Sequence, residues 1–213
     1  MLELRRLPDG LAVGLAMLWL APAAQAADEP YRVRGTLTEV AADHLAIETE
    51  ADTVEIALSD ETGVFVVTPA ALGDIKQGDY VGVTSIESKG QRVALAVHIF
   101  AEDLRGTAEG HFPWDLVKEP NTMTNATVAE VATLGNDREL TLTYRIGEGE
   151  ESEVESQTIE VPSITDVVRL DKAGDPSPLA PAKSAFVIVQ DTSNGTPTAI
   201  AVVVGADGAT PPM

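Results

Sequence analysis

Apolar and polar residues alternate with a period of two along most of the chain, the pattern of strands with one face toward a core and the other toward water. Leu45, Ile47 and Thr49 alternate with polar or small neighbours, as do Val54, Ile56 and Leu58. Val93, Leu95, Val97 and Ile99 form the clearest stripe, with Ala94, Ala96 and His98 on its reverse. Turn residues separate the runs: "AAD", "SDET" and "SKGQ" in the first half, "GND" and "TSNGTP" in the second. Only "PAALGDIKQGD" (69–79) could hold a helical turn, because the later "AGDPSPLAPAKS" carries too many prolines. The pattern predicts an all-β protein.

The strands also recur in order. "GTLTEV" (35–40) matches "ATVAEV" (126–131), and "HLAIET" (44–49) matches "ELTLTY" (139–144). "IALSDETGVFVV" (56–67) matches "IEVPSITDVVRL" (159–170) without a gap. "KQGDYVGV" (76–83) matches "AKSAFVIV" (182–189), and "VALAVHIF" (93–100) matches "TAIAVVVG" (198–205). Five matches in one order predict two copies of a unit, over 33–106 and 124–207. Five or six short strands per copy, with a linker in place of a helix, is the layout of a small closed barrel of the OB type, which leaves no strand edge free. The expected architecture is two tandem OB-like β-barrels: a first repeat in 27–106, a connection over 107–123, and a second repeat with a C-terminal tail in 124–213. The acidic insert "GEGEESEVES" reads as a mobile loop lengthening a hairpin of the second copy.

The first residues depart from this alternation. Arg5 and Arg6 precede the apolar "LAVGLAMLWLAPAA", and Ala24-Gln25-Ala26 supplies the small residues a signal peptidase needs. Residues 1–26 are expected to be a cleaved secretory signal peptide, since the run is too short to span a bilayer and stay there. That expectation puts the mature chain, from Ala27, in the periplasm or outside the cell. No later run is long and apolar enough to cross a membrane as a helix. The chain has no cysteine, so disulfides, thiolate chemistry and a lipid-modified N-terminal cysteine are excluded.

Charge narrows the partners. Lys and Arg number 14 against 34 Asp and Glu, a net charge of −20. Nucleic acid and anionic membrane surfaces need a basic face, so neither is an expected partner. The acidic surface favours solubility and a neutral or basic partner.

Catalytic signatures are missing: there is no G-x-S-x-G, H-E-x-x-H, P-loop or dinucleotide fingerprint. The expectation is a non-enzymatic protein. The stretch of most interest is "GHFPWD" (110–115), in the connection between the copies, which holds the only tryptophan outside the leader. Phe112 and Trp114, stiffened by Pro113, are expected to pack at a domain interface and orient the two barrels. A second reading makes Glu109, His111 and Asp115, with His98, a divalent-metal site, although their spacing matches no specific metal motif. His98 is equally read as a strand histidine satisfied by a backbone carbonyl. Asn125-Ala126-Thr127 forms a glycosylation sequon that reads here as the start of a strand.

The pattern "RGT…EGH.PWD", followed by "TMTNATVAEV" and a tail of the form "VGADG…PPM", resembles a family of exported bacterial proteins built from a repeated small β-barrel domain of unknown function. The resemblance runs over the whole chain after the leader. Relatives often carry the label "metal ABC transporter permease". A permease needs several membrane spans, so the label implies at most a partnership with a transporter, and the family supplies no catalytic residues to carry over. Two functions follow as expectations. One is an exported binding or scaffold module for an envelope protein or small ligand. The alternative is a soluble periplasmic metal-handling accessory to a transport system.

Overall fold

A computed structural model of the chain describes residues 29–147 and 152–213. The leader expected over 1–26 and residues 148–151 of the acidic insert lie outside the described residues. Six strands come first: β1 (Tyr31–Val40), β2 (His44–Glu48), β3 (Thr53–Ala57), β4 (Gly63–Ala70), β5 (Tyr80–Ser88) and β6 (Gln91–Phe100). A short strand β7 (Gly110–Trp114) follows. Then come β8 (Asn121–Leu134), β9 (Asp137–Ile146), β10 (Glu153–Val161), β11 (Asp166–Lys172), β12 (Ser184–Asp191) and β13 (Pro197–Gly205). The protein is all-β, as the alternation predicts. The helical turn anticipated within 69–79 is a single 3-10 turn at Leu72–Asp74, and a second lies at Glu102–Leu104.

All thirteen strands join one hydrogen-bonded sheet, and it contains two closed rings of five. One ring runs β10-β9-β8-β5-β6 and closes where Glu160 meets Val93 in parallel; the other runs β13-β12-β1-β2-β3 and closes where Thr198 meets Ala57. Between the rings, β4 and β11 pair antiparallel with each other, while β11 lies parallel to β6 and β4 parallel to β13. β4 carries the chain from one ring to the other, and β11 carries it back. Neither ring is therefore built from one half of the sequence: β1, β2 and β3 close with β12 and β13, and β8, β9 and β10 close with β5 and β6. The expected boundary at 107–123 does not separate two closed sheets. Apart from β7, exchanging each strand for the one seven places along maps every pairing onto another: β1–β12 onto β8–β5, β3–β13 onto β10–β6, and β4–β11 onto itself.

Each ring encloses its own core. Leu37, Leu45, Ile47 and Ile56 are fully buried in one, Leu140, Leu142, Ile159 and Val161 in the other. Burying each such side chain contributes about 2 kcal/mol. The stripe on β6 is broken where the sequence reads it as continuous. Thr84 pairs with Ala96 and Ser85 with Ala94, so Leu95 bulges out of register. Ala94, Val97 and Ile99 consequently enter the ring core, whereas Val93 and Leu95 are only half-buried. The acidic insert is also shorter than expected, because its residues from Glu153 onward belong to β10 and pair with β9.

The connection expected over 107–123 is structured. Residues 110–114 form β7 against β8, with Gly110 opposite Asn125 and Trp114 opposite Asn121. Pro113 is tolerated because β7 pairs on one side only, so a missing N–H breaks no second ladder.

Candidate functional site

The strands β6, β11, β4, β13 and β12 run side by side, and their face turned away from the ring cores is apolar. Val67, Val168, Leu170, Phe186 and Val203 lie there, covered by Leu104, Trp114 of β7, and Met213. The cover is incomplete. A cavity of about 280 Å³ remains, walled by Phe65, Phe100, Phe112, Met123, Phe186 and Met213, with Arg32 at its edge. Met123 and Met213 are both buried in this wall.

Two buried polar atoms of cavity-lining residues find no hydrogen-bond partner among the described residues: Asn125 Oδ1 and Trp114 Nε1. His98 and Asn125 are 1% and 6% exposed, so water does not substitute freely. Both side chains are committed. His98 Nδ1 lies 3.3 Å from the Gly82 carbonyl. Asn125 Nδ2 donates to the carbonyls of Ala108 at 3.1 Å and Thr107 at 3.4 Å. These bonds hold the turn before β7, in which Ala108 takes a left-handed φ of 48°, a conformation costly for a residue with a Cβ. The Tyr80 hydroxyl donates to the same Thr107 carbonyl at 3.0 Å. Burial drives the His98 pKa down to about 4, with the carbonyls of Gly82 and Pro212 opposing, so the ring is neutral near pH 7.

Trp114 is placed by three contacts from different elements. Its ring packs on Phe112 at 5.8 Å and on Phe186 at 6.1 Å, and the Arg32 guanidinium sits 3.9 Å above it. β7 hydrogen-bonds to a strand of one ring, while Arg32 and Phe186 belong to the other, so this side chain bridges both. Asp115 extends the bridge, accepting from Arg34 at 2.6 Å and pairing with Arg32 at 3.4 Å. Partial burial pushes the Asp115 carboxyl up, but the hydrogen bond from Arg34 and both guanidinium charges outweigh it and hold the pKa below its ordinary value. The Arg34 Nε donates to the Met213 carbonyl and its guanidinium lies over Phe186.

The residues read as a metal site are not brought together. His111 Nδ1 is 2.8 Å from the Thr124 hydroxyl and its ring stacks on Tyr144. Glu109 accepts the backbone N–H of Arg145 at 3.0 Å, Asp115 is held by two arginines, and His98 lies in the cavity wall. No three His, Asp or Glu side chains converge among the described residues. This donor set does not fit a divalent cation, because the Asp115 carboxylate is already neutralised by two arginines and the buried His98 is held by the carbonyls of Gly82 and Pro212.

Sequence reasoning missed Arg32, Asn125 and Phe186 in the cavity lining, and Arg34 beside them. The two arginines carried a usable signal: in "YRVRG" they alternate with a core valine, which places two cations on one strand face of a strongly acidic chain. Asn125 carried none, since its sequon explained it away. Comparison with family models, with curated proteins and with solved structures gives no match for the chain.

Proposed function

We propose that this protein is a non-catalytic, exported binding module that holds a small, mostly apolar ligand in the cavity under β7. One observation carries the reading: an apolar cavity of about 280 Å³ lies under β7, and two buried polar atoms of its lining residues, Asn125 Oδ1 and Trp114 Nε1, lack a partner among the described residues. Each unpaired buried group costs about 1–3 kcal/mol, an expense that a ligand bearing matching groups would remove. On this reading each five-stranded ring is a small OB-like barrel, and two copies of one repeated unit trade their first three strands. The self-mapping of the pairings supports that view. The resemblance to exported bacterial β-barrel proteins and the acidic surface are consistent with work in the cell envelope.

Titrating the isotope-labelled protein with phenol tests the reading. The amide resonances of Thr107, Ala108, Phe112 and Met123 should shift saturably, while those of Asp43 and Asp60 on distant turns stay in place. Ala201→Leu, which places a larger side chain in the cavity wall, should abolish the shifts. Shifts that never saturate, or that survive Ala201→Leu, would sink it.

A further inference from the structure

Among the described residues β7 is the strand without a counterpart, and the place where a counterpart would lie is open. β1 and β8 hold the same position in their rings. Thr36 and Leu37 face Glu48 and Ile47 just as Thr127 and Val128 face Thr143 and Leu142. On the opposite side Leu37 gives its N–H to the Lys183 carbonyl, as Val128 does to that of Asp79. Residues 122–125 of β8 pair with β5 on one edge and with β7 on the other. The matching residues 31–34 of β1 pair with β12 alone among the described residues.

A groove of about 780 Å³ follows this free edge, between β1 and residues 48–51, and Val33 and Val54 line it. A strand bonds each neighbour through alternate residues. Leu37 turns its N–H toward the β12 side, so the odd residues of β1 serve β12. The N–H and C=O groups of Arg32 and Arg34 therefore point into the groove. β8 keeps the same parity, since Pro113, which has no N–H, sits opposite Thr122, the match of Tyr31. Charged side chains commonly guard such an edge, but here both guanidinium groups are drawn to Asp115. In the filled half Glu109, just ahead of β7, accepts the Arg145 N–H at 3.0 Å. The register matches Arg145 with Glu50, which lines the groove together with Glu48.

We propose that the outer edge of β1 docks an extended segment of a partner protein, added antiparallel to β1 as β7 is to β8. The segment leads with a lysine or arginine, which meets Glu48 and Glu50, and continues with apolar residues at alternate positions facing Val33 and Val54. A basic partner also suits the net charge of −20. With processing before Ala27, only residues 27–30 precede β1, whereas β7 and its connection take residues 110–120. The processed chain is thus too short to fill the place itself. Nothing in this site depends on what the cavity holds.

Titration of the isotope-labelled, processed protein with the capped peptide Lys-Thr-Val-Thr-Val-Thr tests the site. The amides of Arg32 and Arg34 should shift saturably and gain protection from hydrogen exchange, while those of Met123 and Asn125 on the occupied edge do not. Glutamate in place of the lysine should weaken binding about threefold, and Glu50→Lys should reverse that order. Proline at the fourth peptide position, opposite Arg32, removes a ladder N–H and should weaken binding about tenfold. Proline at the fifth, where β7 carries Pro113, should change it little. Absence of saturable shifts at Arg32 and Arg34, or indifference to proline at the fourth position, would overturn strand addition at this edge. Protection of both amides only in the unprocessed chain would assign the edge to the leader. Protection that rises with protein concentration alone would assign it to a second copy. Either result overturns the partner segment, and neither touches the phenol test of the cavity.

Discussion

Trp114 and His98 both lie in the cavity wall, yet their energetics differ in kind. Trp114 is held by packing, with Phe112, Phe186 and the Arg32 guanidinium around it. Trp114→Ala should cost about 3 kcal/mol, read as a lower denaturant midpoint, and Trp114→Phe much less. His111→Ala removes one hydrogen bond and a stacking partner and should cost about 1 kcal/mol. A His111 effect equal to that of Trp114 would mean the strand, and not the tryptophan, holds the cover. His98 acts through protons. Its pKa falls from an ordinary 6.5 to about 4 in the fold, so between those values the unfolded chain takes up a proton that the native state refuses. Its contribution is therefore present above pH 6.5 and is lost as pH falls toward 4, by about 3 kcal/mol in total. His98→Gln, which keeps a donor for the Gly82 carbonyl, should flatten the unfolding free energy across that window. An unchanged slope would show that other groups carry the acid sensitivity.

At the scale of strands, β6 is the sharpest test of what alternation can tell. Read as a regular stripe, Leu95 belongs in the core beside Val97. The bulge opposite Thr84 and Ser85 removes it, leaving Val97 fully buried and Leu95 half-exposed. Val97→Ala should cost about 2 kcal/mol and Leu95→Ala under about 1, although leucine loses more carbon. The reverse order by chemical denaturation would restore the regular strand. Outside β7 and the start of β10, strand existence was legible, because residues such as Leu45, Ile47, Val54 and Ile56 obey period two whatever they pair with. A bulge was not, since one extra residue changes the facing of a strand without changing its composition. β7 shows the other limit: Phe112 and Trp114 announced an anchor, but "GHFPW" lacks the alternating apolar residues that mark a strand and becomes one through its pairing with β8. Asn125 was illegible for the same reason, since its role depends on the carbonyls of Thr107 and Ala108 arriving beside it.

The whole molecule depends on partner choice among strands, which alternation does not encode. A chain of two self-contained halves would survive being cut between them. Here residues 29–106 supply β1, β2 and β3 to one ring and β5 and β6 to the other, and residues 107–213 supply the rest. Produced apart, these two fragments should lack a cooperative unfolding transition, and mixed they should regain it with the cavity restored. A stable β-sheet spectrum from either fragment alone would refute the exchanged arrangement and return the protein to two independent barrels.

The crossing of β4 and β11 between rings also sets a timetable. On a chain delivered from its first residue, the ring of β5, β6, β8, β9 and β10 has all its strands once residue 161 is available. The ring that contains β1 must wait for β13, which ends at Gly205. Tyr31 meets Val189 across nearly the whole chain, a closure that is slow because so much chain must be ordered before the pairing rewards it. β1, β2 and β3 pair with one another locally, but the outer edges of β1 and β3 must wait for β12 and β13. If the chain is exported unfolded, as proposed above, that delay leaves both edges of its leading three-stranded sheet open until the trailing end has arrived.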